Sequence, residues 1–208
     1  MSRRISLPVI LTAALLLGSC NALKDLQKSI TNLSRCKFKL ESVNGFSLMG
    51  VNLSNKSKLS DFNLVDGAKL AAGFARNEFP ASFTLNVAAI NPNDGTGGTS
   101  QTSATLTSFA WTLILDNTLT INGDISNPIT IPGTGQQTII PLTMNLDLAK
   151  FFKDKGYESV MNLALALGGA NSSPSRITLR ATPRIRTSLG DIAYPGAIDI
   201  VDREFKAQ

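Results

Sequence analysis

Between Phe79 and Ile90 the chain alternates: Phe79, Ala81, Phe83, Leu85 and Val87 share one parity, while Ser82, Thr84 and Asn86 share the other. Side chains two residues apart line the same face of a strand, so this run is a strand that must bury one side. An isolated hairpin cannot cover such a face, and a second layer is required. The same period recurs. Cys36, Phe38 and Leu40 alternate with Lys37, Lys39 and Glu41, and Phe46 and Leu48 open a further strand that runs to Leu53 with a phase slip near Met49. Phe109, Trp111, Leu113 and Leu115 form another inward row, which Asp116-Asn117 turns into Leu119, Ile121 and Ile125. Two such turn formers between alternating runs predict a tight hairpin with positive φ at both. Ile140, Leu142, Met144 and Leu146 follow, then strands over Arg176–Arg186 and Ile192–Val201.

Two segments change period. Leu64–Arg76 carries Leu64, Ala68, Ala71, Ala72 and Ala75 at helical spacing, which predicts a helix with that face inward. Leu148–Leu167 is the second, with Asp147 as N-cap, Gly156 splitting it and Gly168-Gly169 ending it. Its Phe151, Phe152, Val160, Leu163 and Leu167 can pack on an open end of a sheet stack. The expected fold is mainly β: an immunoglobulin/fibronectin III-like antiparallel β-sandwich with one or two packed helices.

The N-terminus does not read as part of that fold. Arg3 and Arg4 precede an apolar stretch, Leu7–Leu17, which is too short to span a bilayer as a helix. Leu17-Gly18-Ser19-Cys20 then resembles the lipobox of bacterial lipoproteins. That resemblance implies a signal peptide at 1–19, lipid on Cys20, and a lipidated tether at 20–35, leaving 36–208 as the sandwich. It makes the membrane a partner through Cys20. Asn21 is not the aspartate that retains such proteins at the inner membrane, so the resemblance implies a cell-envelope location that favours the outer membrane. Loss of Arg3 and Arg4 lowers the formal charge by two, from +5 to +3. A balance that small, without clustering, gives no pull on nucleic acid.

Chemistry is thin along the chain. There are 208 residues and no histidine, which excludes Ser-His-Asp and Cys-His nucleophile pairs and imidazole acid/base schemes. With Cys20 lipidated, the second cysteine, Cys36, stands on the inward parity of its strand and reads as a small buried hydrophobe. Asp116 and Asp124 flank one hairpin and could pair, although turn formation already accounts for Asp116. Gly95, Gly97 and Gly98 precede no helix and make no phosphate loop. Trp111 reads as a core anchor. No catalytic residue, metal, cofactor or small-molecule substrate is expected. The best binding candidate is a row of one parity, Arg176, Arg180, Arg184 and Arg186, spanning roughly 30 Å on an ideal strand. It could contact an anionic surface; the competing reading is a solvated face shared with Thr178 and Thr182, with Pro183 bulging the strand.

Three motifs, in order, resemble the WHy domain of late-embryogenesis-abundant proteins. They are Asn91-Pro92-Asn93 after the long strand, Ile131-Pro132-Gly133 leading into Gln136–Leu146, and Leu189-Gly190-Asp191-Ile192-Ala193-Tyr194-Pro195 before the last strand. The likeness covers roughly 59–202 and departs in a longer Gly/Thr/Ser loop, Asp94–Ser103. It implies a sandwich and a stress (desiccation) protective role without catalysis. By itself Asn91-Pro92-Asn93 reads as a strand-ending turn, with Asn93 in the left-handed region. The alternative function is a protein-binding accessory subunit of an envelope complex, using an exposed strand or the Asp94–Ser103 loop. A hydrolase with an acidic pair is the third reading.

Overall fold

The computed structural model describes residues 24, 27, 28, 30–32, 34–96, 100–171, 176–187 and 190–202. Its strands are β1 (Lys37–Leu48), β2 (Val51–Asn52), β3 (Pro80–Ile90), β4 (Ala104–Leu115), β5 (Thr118–Gly123), β6 (Ile129–Ile131), β7 (Gln137–Asp147), β8 (Ile177–Thr187), β9 (Gly190–Ala193) and β10 (Ile198–Ile200). One sheet runs β2-β1-β3-β7 and the other β10-β8-β4-β5, with β6 also on β4 and β9 on β8. Every pairing is antiparallel. Taking β1, β3, β4, β7, β8 and β10 as A, B, C, E, F and G gives A-B-E facing G-F-C, the immunoglobulin-type order. β5 extends the second sheet beside C. The sheets close on one apolar core, where the rings of Phe38 on β1 and Phe109 on β4 meet at 5.4 Å.

The alternating rows become strands as expected, and β3 buries Ala81, Phe83, Leu85 and Val87 while Ser82, Thr84 and Asn86 are half-buried. Asp116 and Asn117 take φ of 48° and 63° and make the tight hairpin between β4 and β5. The expected break before Phe46 is absent. β1 instead runs through, with register shifts between Leu40 and Ser42 and between Asn44 and Ser47, because bulges absorb the odd residues. The phase slip near Met49 is a two-residue turn, Met49-Gly50, with φ of 52° and 79°. The strand expected over Ile192–Val201 is two pieces, β9 and β10. Between them Tyr194 N donates to Pro183 O at 2.8 Å, and Pro195 has no N–H to offer the ladder.

Helix α1 (Leu64–Ala75) begins at Asn63, whose side chain accepts from Asp66 N. Its face is not the one its alanines predict. Leu70 and Gly73 are buried, whereas Leu64 and Val65 are 90% and 77% exposed and Ala68, Ala71, Ala72 and Ala75 also face outward. Burial scales with apolar area, so Leu70 and the ring of Phe74 outweigh a stripe of methyls. Phe74 packs edge-on to Phe79 and Tyr157, both at 5.5 Å. The second helical segment is α2 (Leu148–Phe152), a 3-10 turn at Lys153–Lys155, and α3 (Tyr157–Gly168). Gly156 divides it with a φ of 78°. Asp147 Oδ1 accepts from both Ala149 N and Phe79 N, which caps α2 and ties it to β3.

The register sets two poles. Lys37 pairs with Ile90 at one end of the first sheet, and Leu48 with Ala81 at the other. β3 separates them by roughly 35 Å. All three helices, α1 to α3, and the hairpins at Met49 and Asp116 gather at the second pole; the described residues of 24–35, which are helical, enter at the first.

At Gly168 an added Cβ would lie 2.0 Å from Phe46 Cβ, whereas at Gly67, within α1, it meets nothing within 4 Å. Gly168→Ala is therefore expected to destabilise by about 1–3 kcal/mol through overpacking. Gly67→Ala is expected to stabilise by about 0.5–1 kcal/mol, the helix-interior penalty of glycine. Urea unfolding of the two variants checks the opposite signs.

Candidate functional site

The inward parity of β3 does not stop at Ala89. It continues through Asn91 and Asn93, both 0% exposed. A buried amide must find partners for two donors and an acceptor oxygen. Asn91 finds them all. Its Nδ2 donates to Thr102 O at 2.8 Å and to Ile131 O at 3.1 Å. Its Oδ1 accepts from Asn93 N at 3.1 Å and Asn93 Nδ2 at 2.7 Å. Gly135 N donates to the Asn91 carbonyl, and Thr102 N to that of Asn93. Two loops far apart in sequence are thus tied to the end of β3.

Asn93 carries the tie to a third segment. Its second Nδ2 hydrogen goes to Asn32 O at 3.0 Å, in the helical residues of 24–35. Cys36 Sγ donates to the same carbonyl at 3.6 Å, and Tyr194 Oη donates to Ser34 O at 3.5 Å. The first and third motifs therefore both act on this segment. The second supplies its floor: an added Cβ on Gly133 would lie 2.4 Å from Asn93 O and 2.5 Å from Thr102 O. Only glycine lets those backbones approach. Asn93 does not take the left-handed turn conformation; among the described residues, positive φ outside glycine falls at Met49, Asn77, Asp116 and Asn117. The turn itself is made one residue later, where Asp94 Oδ1 accepts from Thr96 N and Oγ1.

Cys36 is fully buried, as its parity predicts, and burial pushes its thiol pKa up to about 12. Cys20 lies outside the described residues.

Arg176, Arg180, Arg184 and Arg186 are all exposed. Carboxylates answer three of them. Arg180 makes a two-pronged pair with Asp199 at 2.7 and 3.0 Å, Arg186 meets Asp191 at 3.6 Å, and Arg176 meets Asp116 at 3.4 Å. Asp199 and Asp191 stand directly across the ladder from their arginines, so strand register does the pairing. Arg184 has no ion pair among the described residues. Pro183 does not bulge β8; it stays in register with Phe109, and the irregularity lies in β4 between Leu106 and Ser108. The Arg180 hydrogen bond holds the Asp199 carboxyl below its ordinary range, and that of Lys155 does the same for Asp116. With folded values below the unfolded value of about 4, these pairs add stability above that pH and lose it as pH falls through the folded values.

The acidic pair does not form. Asp116 is held by Lys155 and Arg176, while Asp124 accepts from Phe109 N, Ile125 N and Ser108 Oγ. Trp111 is buried with its ring against Gly123. A groove of about 530 Å³ at the helical pole is lined by Met49, Pro80, Ile121, Asn145, Asp147 and Phe151. The one carboxylate among its described lining residues, Asp147, is the cap of α2.

No family model and no curated protein matches the chain. Among solved structures it is similar to a protein from Archaeoglobus fulgidus at 10% identity and a TM-score of 0.34, over 82% of this chain and 98% of that one. It is similar to a protein described as late-embryogenesis-abundant at 11% identity and a TM-score of 0.35, over 94% and 90% of the two chains. A structural-genomics target, SoR45, gives 10% identity and a TM-score of 0.37, over 82% and 89%. At TM-scores this low the architecture stands on its own strand order and register. That order defines a mainly β, antiparallel two-sheet sandwich.

Asn91→Ala strands the buried Ile131 carbonyl, takes the partner from that of Thr102, and is expected to cost about 2–4 kcal/mol, read from urea unfolding. The Cys36 thiol should resist alkylation at pH 8 in the native protein and react at once in guanidinium. Fast native labelling would contradict its burial.

Proposed function

We propose that the protein is a lipid-anchored, non-catalytic envelope protein of the late-embryogenesis-abundant, WHy-domain type, with a stress (desiccation) protective role. The observation that carries this reading is the meeting of the three resembling motifs at one pole, where Asn93 and Tyr194 hold the segment that follows Cys20. A domain secured in this way sits close against the surface its anchor enters. Acyl chains contribute about 0.8 kcal/mol per buried CH₂, and more than one chain is needed for lasting attachment. The leader residues and Asn21 favour the outer membrane. No helix among the described residues is long and apolar enough to cross a membrane.

A second reading, an accessory subunit of an envelope complex, is favoured by one observation. The outward face of α1 presents Leu64 and Val65 at the pole away from the anchor. Crosslinking in intact envelopes separates the two. A stoichiometric protein lost in a Leu64→Ser/Val65→Ser variant supports the accessory reading, and loss of drying survival on deletion without such a partner supports the protective one.

Cys20→Ser is expected to remove the acyl adduct seen by mass spectrometry of the purified chain and to weaken its attachment to membranes. Unchanged, salt-resistant membrane attachment of this variant would mean that Cys20 does not carry the anchor.

A further inference from the structure

The segment secured by Asn93 forms one wall of a groove of about 420 Å³, and the loop at Ser100 and Thr102 forms the other. Lys24, Lys28, Thr31 and Arg35 line it from the helical side. Spacings of four, three and four place these residues on one helix face. The described residues that line the groove include no carboxylate, and Lys24, Lys28 and Arg35 make no ion pair among the described residues. Among the described residues, Asp94 feels Arg35 but is engaged mainly with Thr96. This differs from the arginine face of β8, where carboxylates answer three of the four cations.

Both walls are fixed by the same buried amides. Asn93 Nδ2 holds Asn32 O on the helical wall, while Asn91 Nδ2 holds Thr102 O on the loop wall. Three cations therefore stand around one opening whose two walls are tied to the same strand end. Lys24 lies four residues from Cys20, at most about 14 Å of extended chain.

We propose that this groove seats the phosphate headgroup of an anionic phospholipid in the leaflet that receives the anchor. The proposal rests on the lipid-anchor reading for the nearness of that leaflet. Three cations neighbouring an anionic surface correspond to about 100-fold in affinity at low salt. The anchor would then fix where the protein sits and the groove how it stands: the first pole toward the lipid, α1 away from it.

The test uses the full mature chain purified in a non-ionic detergent, titrated with dihexanoyl phosphatidylglycerol, dihexanoyl phosphatidylcholine and glycerol 3-phosphate. Binding of phosphatidylglycerol alone is expected, weakened about 100-fold in Lys24→Gln/Lys28→Gln/Arg35→Gln and unchanged in Arg180→Gln/Arg184→Gln. Near-ultraviolet circular dichroism confirms folding, and Arg35→Lys, which keeps the charge, should retain most of the binding. Equal affinity in the triple variant, or equal binding of phosphatidylcholine, overturns the groove. Equal binding of glycerol 3-phosphate overturns a lipid source. Mass spectrometry of Cys20 on the same sample keeps the two ideas apart. An unacylated chain whose groove binds phosphatidylglycerol removes the anchor and leaves the groove, whereas an acylated chain without that selectivity does the reverse.

Discussion

The fully satisfied amide of Asn91 is the interaction on which the first pole depends. Its four hydrogen bonds reach two carbonyls, at Thr102 and Ile131, and both nitrogens of Asn93. In a low-dielectric interior such bonds are strong, and a missing partner is correspondingly costly, so the network favours one arrangement of the loops over all others. Asn93 then spends a donor on Asn32, outside the sheets altogether. One strand of the sandwich thereby organises two loops and the segment leading back toward Cys20.

Beyond that joint lies the body of the sandwich. Its core is one continuous cluster across both sheets, and helices α1 to α3 are pinned to the other pole by Phe74, Asp147 and the approach of Gly168 to Phe46. The outer face of β8 between the poles is largely muted, since Asp199, Asp191 and Asp116 answer Arg180, Arg186 and Arg176 and leave Arg184 without an ion pair among the described residues. Exposed pairs of this kind are each worth under about 1 kcal/mol, so they matter more for muting the face than for holding it. At its ends the fold leaves unanswered a basic groove on one side and Leu64 and Val65 on the other.

Much of this architecture was legible in the sequence, because period two survives wherever one face of a strand is buried. Phe79–Ile90 and the Asp116-Asn117 hairpin show this most clearly. The misreadings have physical causes. Alanine spacing on α1 suggested an inward face, but small methyls lose to Leu70 and Phe74. The arginine row was visible, yet its neutralisation was not, since Asp199 and Asp191 reach their partners only through strand register. The joint itself left a signal that the turn reading passed over: Asn91 and Asn93 stand on the same parity as Leu85 and Val87. A polar amide at an inward position announces a hydrogen-bond network, but its partners at 32, 102 and 131 are invisible without the fold.

Hydrogen–deuterium exchange in the Asn93→Ala protein tests the joint most directly. Removing this amide should raise exchange in the peptide covering 24–35 by tenfold or more, while β3 and β7 stay as protected as in the parent. Unchanged protection of 24–35 would contradict the account, because the Tyr194 and Cys36 contacts would then hold the segment without Asn93.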